Sequence, residues 1–245
     1  MWKSWVLFLW LNSYSILLAQ FSYLTQDEHW KKGYAIGAHL STNGIGGDLW
    51  IYKWLDPYYR IIRLSAANLR DPSEVRVESL YKSQGGKNFV FDKINRAYAL
   101  RFLYGYSYAL IPASRYQGVD FGVGVLLGPE LALLKPYVID VAVPIAPGQV
   151  VPVATVYDHT KYSYQDIIGE GSFFSNAGGG IHGVPGIHIE IMTMINLDPY
   201  FFLFQSLHGG IQADIFLRPL PIMDVGRDRQ VFLSAYLGIY FGNSW

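Results

Sequence analysis

Beyond about residue 33 the chain alternates apolar and polar residues with a period of two, the signature of half-buried strands. The first segment, Gly33 to Thr42, puts Tyr34, Ile36, Ala38 and Leu40 on one face and Ala35, Gly37, His39 and Ser41 on the other. A Gly-rich turn from Asn43 to Gly47 leads into a second strand that runs to about Leu55. Its faces are hard to tell apart, because Leu49 and Ile51 oppose Trp50, Tyr52 and Trp54. Asp56-Pro57 predicts a tight turn. The third strand, Tyr58 to about Arg70, sets Ile62, Leu64 and Ala66 against Arg63, Ser65 and Ala67. The fourth, Arg96 to Tyr106, sets Tyr98, Leu100, Phe102 and Tyr104 against Ala99, Arg101 and Gly105. The fifth has Val119, Phe121, Val123, Val125 and Leu127 opposite Asp120, Gly122 and Gly124, and Gly128-Pro129 predicts a kink or bulge where it ends. In the sixth, Ile187, Ile189, Ile191 and Ile195 oppose His188 and Glu190. In the seventh, Leu207, Ile211, Ala213 and Ile215 oppose His208, Gln212 and Asp214. The eighth alternates Val231, Leu233, Ala235, Leu237, Ile239 and Phe241 with Ser234, Tyr236, Gly238 and Tyr240.

Eight is an even number, and the connections differ by side. Those after odd strands, the first excepted, are long, polar or Gly-rich; those after even strands are shorter. Transmembrane barrels combine short periplasmic turns with longer surface loops, and strands of about 9–11 residues suit a tilted crossing. The expected fold is all-β, an eight-stranded antiparallel transmembrane β-barrel with long surface loops and both termini on the periplasmic side. The longest connection, about 136 to 185, is apolar and β-branched from Val138 to Val156. It is too long for an unstructured loop and is expected to be ordered.

Alternation alone also fits a soluble barrel, so the distribution of charge decides which face meets what. The unbroken face is Ile, Leu, Val, Phe and Tyr. The mixed face carries His39, Arg63, Arg101, Asp120, His188, Glu190, Gln212 and Asp214, diluted by Gly, Ala and Ser. Few Lys residues fall within strands, although solvated sheet edges usually carry them. Lipid outside and a narrow polar interior follow. Eight strands leave an interior just filled by side chains, so Arg63 and Arg101 are expected to pair with Asp120, Glu190 and Asp214, since an unpaired buried charge is costly.

Composition agrees. Charged residues are 16% of the 245 and aromatics another 16%, against about 25% charged in an ordinary soluble domain. Lys+Arg and Asp+Glu are 19 each, for zero formal net charge. Nucleic acid is therefore excluded as a partner, because phosphate binding needs a basic excess. The absence of Cys excludes disulfides, thiolate metal sites and an N-terminal lipid anchor on Cys. Residues 1–19 read as a secretory signal peptide, with Lys3 before an apolar stretch and cleavage expected after Ala19, leaving residues 20–245 as one barrel domain. The polar break at Asn12 to Ser15 makes the same stretch a poor membrane-spanning helix. Phe241 and Trp245 share the outward parity of the last strand and are read as a C-terminal signal for barrel insertion.

Several segments carry a resemblance: Asn68-Leu69-Arg70-Asp71-Pro72-Ser73-Glu74-Val75, Gly118-Val119-Asp120-Phe121, Leu134-Lys135-Pro136-Tyr137, Arg218-Pro219-Leu220-Pro221-Ile222-Met223 and the ending Tyr240-Phe241-Gly242-Asn243-Ser244-Trp245. Through them the chain resembles a family of small outer-membrane β-barrel proteins of the Bacteroidota. Where that family usually has His-Pro-Lys-Glu, this chain has Asp71-Pro72-Ser73-Glu74. The resemblance implies an integral location in a bacterial outer membrane and a barrel fold, and brings no catalytic residues.

No enzyme or cofactor motif stands out. His39 and Ser41 could serve a lipid-modifying barrel enzyme, but their parity puts both inside, away from a lipid substrate. His188 with Glu190 could line an ion path, although such residues more often complete a buried polar network. Tyr157-Asp158-His159 and Asp166 could hold a cation, without diagnostic spacing, and Gly178-Gly179-Gly180 lacks the Lys-Ser/Thr of a phosphate loop. No catalytic, metal or cofactor site is expected. The favoured reading is a non-enzymatic structural or accessory subunit of an outer-membrane protein export or barrel-assembly machine. Its expected partners are outer-membrane lipid, the barrel-insertion machinery and another outer-membrane protein. The alternatives are a narrow pore or transporter for small solutes and a lipid-modifying enzyme.

Overall fold

The computed structural model describes residues 32–55, 57–111, 119–146, 149–175, 180–197, 206–224 and 228–244. In chain order the strands are β1 (Lys32–Ser41), β2 (Gly44–Leu55), β3 (Tyr58–Leu69), β4 (Arg76–Val77), β5 (Phe89–Val90), β6 (Asn95–Ile111), β7 (Val119–Pro136), β8 (Val138–Ala146), β9 (Gln149–Val156), β10 (Ile167–Glu170), β11 (His182–Leu197), β12 (Ser206–Leu220) and β13 (Arg229–Ser244). Eight of them close a barrel in the order β1-β13-β12-β11-β7-β6-β3-β2, with every neighbouring pair antiparallel. All eight coincide with the alternating segments read from the sequence. The predicted signal peptide lies outside the described residues.

The strands do not have one height. β1, β2 and β3 have 10, 12 and 12 residues, whereas β6, β7 and β11 have 17, 18 and 16. A tilted crossing needs about 9–11, so the long strands exceed it, and the end where the long connections emerge is here the loop end. The opposite, turn end holds the β2–β3 turn.

The kink expected at Gly128-Pro129 does not occur. β7 continues to Pro136, and Gly128 and Pro129 stay in register with His188 and Ile187 of β11. On the β6 side the ladder skips from Arg101↔Glu130 to Tyr104↔Leu127 and resumes in the same register, as a proline without an N–H requires. Glycine fits here because a Cβ at Gly128 would lie 1.9 Å from the Phe102 carbonyl oxygen of the neighbouring strand.

The outer wall is apolar at mid-height. Leu233, Ile211 and Ile36 keep 68%, 65% and 61% of their surface exposed. A continuous belt of such residues far exceeds the apolar patches tolerated on soluble monomers and matches the lipid-facing band of a membrane barrel. In the described residues of the long connection, β10, β8 and β9 form a three-stranded antiparallel sheet at the loop end. Its core joins Tyr137, Ile139, Val141, Tyr157 and Ile167 to Phe89 from the β3–β6 connection.

Arginine at a mid-wall position should be costly. Ile189→Arg or Leu237→Arg is expected to destabilise the inserted barrel by about 2–4 kcal/mol, measured by urea unfolding in phospholipid vesicles. Gln212→Ala, in the interior, should cost less.

Candidate functional site

The inward rows of the eight strands fill the barrel in layers. At the turn end Trp50, Tyr59, Ile61, Met194 and Tyr240 pack with Leu103, Leu126 and Met192. At the loop end Leu69, Leu134, Phe216, Leu220, Ile222 and Phe232 form a second apolar layer. The narrow polar interior expected from the sequence is layered: its charged residues lie between and among apolar layers. Volume explains it, since a narrow eight-stranded interior needs large side chains to fill it.

All eight residues of the expected network, His39, Arg63, Arg101, Asp120, His188, Glu190, Gln212 and Asp214, are buried inside. Most of them join one chain of contacts. Arg63 is ion-paired with Glu190, which also accepts the Tyr236 hydroxyl. His188 faces Glu190 through Nε2 at 3.3 Å and Asp214 through Nδ1 at 2.5 Å. Arg101 reaches Asp214 at 3.0 Å and Glu130 at 2.9 Å. Beside this chain, Asp48 holds His39 at 2.7 Å and accepts the Tyr240 hydroxyl at 2.7 Å. The Arg63 guanidinium stacks 4.9 Å from the Trp50 ring centroid, a cation–π contact strengthened by the absence of water.

Arg63 and Arg101 pair with Glu190, Asp214 and Glu130 and not with Asp120. Asp120 instead accepts the Tyr59 hydroxyl at 2.8 Å and the Asn196 amide at 3.2 Å, near the turn end. Glu130, Asp48, Trp50, Tyr59 and Tyr236 belong to the site and were not selected from sequence. Glu130 shares the parity of Asp120, and reading the strand past Pro129 would have found it.

The interior leaves little free space. A cavity of about 20 Å³ lies against Trp50, Tyr59 and His208, room for no more than about one water molecule. Glu130, His188 and Asp214 present donor atoms within 4.8 Å of one another, a set that by type could hold a metal ion. Arg101 already bridges its two carboxylates, and a guanidinium there opposes a second cation.

The other sequence candidates do not converge. His39 lies inside, and the Ser41 hydroxyl donates to the Gly44 carbonyl of the β1–β2 turn at 3.1 Å, so the two form no lipid-facing nucleophile and base. Tyr157 donates to Asp92, Asp158 pairs with Lys161, His159 with Asp224, and Asp166 accepts the Ser163 N–H. Phe241 faces outward as expected, whereas Trp245 lies outside the described residues.

At the loop end a cavity of about 180 Å³ opens among Arg70, Glu74, Arg76, Lys93, Arg96 and Glu170. Lys93 pairs with Glu74 at 2.6 Å and Arg96 with Glu170 at 2.6 Å. Burial draws the Lys93 ammonium below its ordinary pKa, against the pull of Glu74. The nearby Tyr137 phenol is pushed up to about 12 by burial, so it stays neutral, and its hydroxyl accepts the Val90 N–H at 3.1 Å.

No family model and no curated protein matches the chain. Among solved structures it is similar to Neisserial surface protein A, at 9% identity over 86% of this chain and 92% of that chain, with a TM-score of 0.40. It is also similar to the N-terminal β-barrel domain of Pseudomonas aeruginosa OprF, at 11% identity over 86% of this chain and 97% of that chain, with a TM-score of 0.35. Nothing about activity is carried over from either, and the fold rests on the closed strand order itself.

The Arg63–Glu190 contact should behave as a buried pair. Arg63→Met or Glu190→Met alone leaves an uncompensated charge and should cost about 3–5 kcal/mol, whereas the double variant should cost less than either single one. Equilibrium unfolding of the four proteins in vesicles measures the cycle.

Proposed function

We propose that the protein is a non-enzymatic integral barrel of a bacterial outer membrane, acting as a structural or accessory subunit of a protein export or barrel-assembly machine. The observation that carries this reading is the filled interior topped by an ordered layer. Passage of a solute would require breaking the Arg63–Glu190 and Arg101–Asp214 pairs and displacing two apolar layers. A pore is disfavoured on that ground, and a lipid-modifying enzyme by the separation of His39 and Ser41 from the wall.

What the barrel offers a partner is its loop end. The sheet of β8, β9 and β10 buries one face on Phe89 and Tyr137 and leaves Val143, Ile145, Val151 and Val153 exposed. Phe174, beyond β10, is 85% exposed. An exposed, β-branched apolar patch beyond the membrane is the kind of surface that another protein covers. The outward Phe241 and the C-terminal Trp245 are proposed to serve insertion of the barrel.

Affinity purification from native membranes tests the proposal. The intact chain is expected to bring down an outer-membrane partner, and deletion of residues 145–180 to abolish it while the barrel still inserts. Planar-bilayer recordings should show no steady conductance. Co-purification that survives the deletion removes the loop layer as the docking surface, and a stable ion-selective current puts the pore reading first.

A further inference from the structure

On the barrel wall, charge is confined to the two ends and is of one sign. Lys32, Lys53 and Arg60 face outward at the turn end, and Arg96 and Lys135 face outward at the loop end. Among the described residues of the eight barrel strands, no carboxylate faces outward; Asp48, Asp120, Glu130, Glu190 and Asp214 are all buried inside.

The turn-end group has an unusual register. Lys32 of β1 lies directly opposite Lys53 of β2, and Lys53 directly opposite Arg60 of β3. Three like charges thus occupy one row across three adjacent strands. Directly opposed like charges destabilise a sheet, and the usual remedy is an interleaved carboxylate. Arg96 has one at the loop end, in Glu170. None of the three turn-end cations has a carboxylate partner among the described residues. Each lies within two residues of the end of its strand, the height at which a membrane wall meets lipid headgroups.

A second feature adjoins the row. Its next member is Tyr106 of β6, directly opposite Arg60. Around Tyr106 the outer wall has a shallow groove of about 430 Å³, lined by Tyr58, Tyr104, Tyr108, Val125 and Leu127. The rings of Tyr58 and Tyr108 lie 5.3 Å apart, and the hydroxyls of Tyr104 and Tyr106 are hydrogen-bonded at 2.6 Å. The groove therefore presents phenol rings and aliphatic side chains beside a cationic ledge.

We propose that Lys32, Lys53 and Arg60 with the adjoining tyrosine groove form a binding site for one anionic phospholipid of the leaflet at the turn end. The phosphate headgroup lies on the three cations, and an acyl chain lies along Tyr106 and Val125. The headgroup supplies a negative charge that the row lacks among the described residues, and the groove covers the first part of the chain. The inference rests on the reading of the wall as lipid-facing and adds a specific lipid class and position to it.

The test uses the full chain, folded in a neutral detergent, with phosphatidylglycerol and phosphatidylcholine of identical acyl chains offered in equal amounts. Native mass spectrometry counts the retained lipid. Wild type should retain phosphatidylglycerol over phosphatidylcholine by about tenfold or more, since each surface Lys or Arg contributes a roughly fivefold attraction to anionic lipid. The variant Lys32→Gln/Lys53→Gln/Arg60→Gln should lose that preference, and Arg96→Gln/Lys135→Gln should keep it. Lys53→Glu makes the row alternate in sign. It should melt higher than wild type in neutral detergent and gain nothing from phosphatidylglycerol, whereas wild type should melt higher when that lipid is added. Insertion into phosphatidylcholine vesicles checks the lipid-facing wall separately. A chain that inserts but shows no preference, or a preference that survives the triple substitution, overturns the headgroup site alone. A chain that enters vesicles of neither lipid overturns the wall reading and the site together.

Discussion

β1 pairs with β13 over nine consecutive positions, from Gly33↔Ser244 to Ser41↔Tyr236, and that seam turns the sheet into a ring without edges. In hydrocarbon an open edge would leave N–H and C=O groups unsatisfied at several kcal/mol each, so closure is what makes the apolar wall usable. Closure also dictates the interior. With eight strands the inward residues meet at the axis, and any charge among them must find its partner there. Arg63 and Glu190, then His188, Asp214, Arg101 and Glu130, meet that demand as one connected set. Removing any member leaves another charge uncompensated, which makes the interior far less tolerant than its polar residues would suggest in water.

Much of this was legible in the chain. Period two located every wall strand and, β2 excepted, assigned its faces, because a slip of one residue would have turned Ile187, Ile189 and Ile191 inward and His188 and Glu190 into lipid. That Arg63 and Arg101 pair with acids from the set Asp120, Glu190 and Asp214 could be anticipated from the cost of an unpaired buried charge, but not which acid each one meets. Other features could not be read, for identifiable reasons. β2 carries aromatic or aliphatic residues on both faces, so Trp50 and Asp48 could not be sorted until the register with β1 placed them inside. Gly128-Pro129 reads as a kink or bulge, yet a proline can stay in a regular strand where the neighbour tolerates a skipped ladder position, and Glu130 just beyond it was not selected. Asp120 accepts the hydroxyl of Tyr59, 61 residues away. Which inward residues meet across a barrel depends on its stagger, which single-strand periodicity does not contain.

The two ends of the barrel differ in kind. The loop end is built up by long strands, an added sheet and ion pairs that neutralise most of its cations, as with Lys93 and Glu74 or Arg96 and Glu170. The outer face of that sheet is apolar at Val143, Ile145, Val151 and Val153, which is what the proposed protein partner would cover. At the turn end the strands finish near the wall's edge, and the cations there stand in a row with no neutralising side chain among the described residues. That suits a phosphate headgroup. On the proposed reading, lipid at one end and a protein partner at the other would together fix the depth and rotation of the barrel in the membrane.

The central claim is that the residues alternating along each strand face lipid and a filled interior in turn. The chain has no cysteine, so single cysteines can be placed at 186 to 192 on β11 and spin-labelled after insertion into vesicles. Labels at 187, 189 and 191 should collide with membrane-soluble oxygen and be shielded from a water-soluble nickel complex. Labels at the positions of Gly186, His188, Glu190 and Met192 should be shielded from both, or prevent folding. Nickel collisions at 187, 189 and 191, or a water-accessible row at the even positions, would contradict the account.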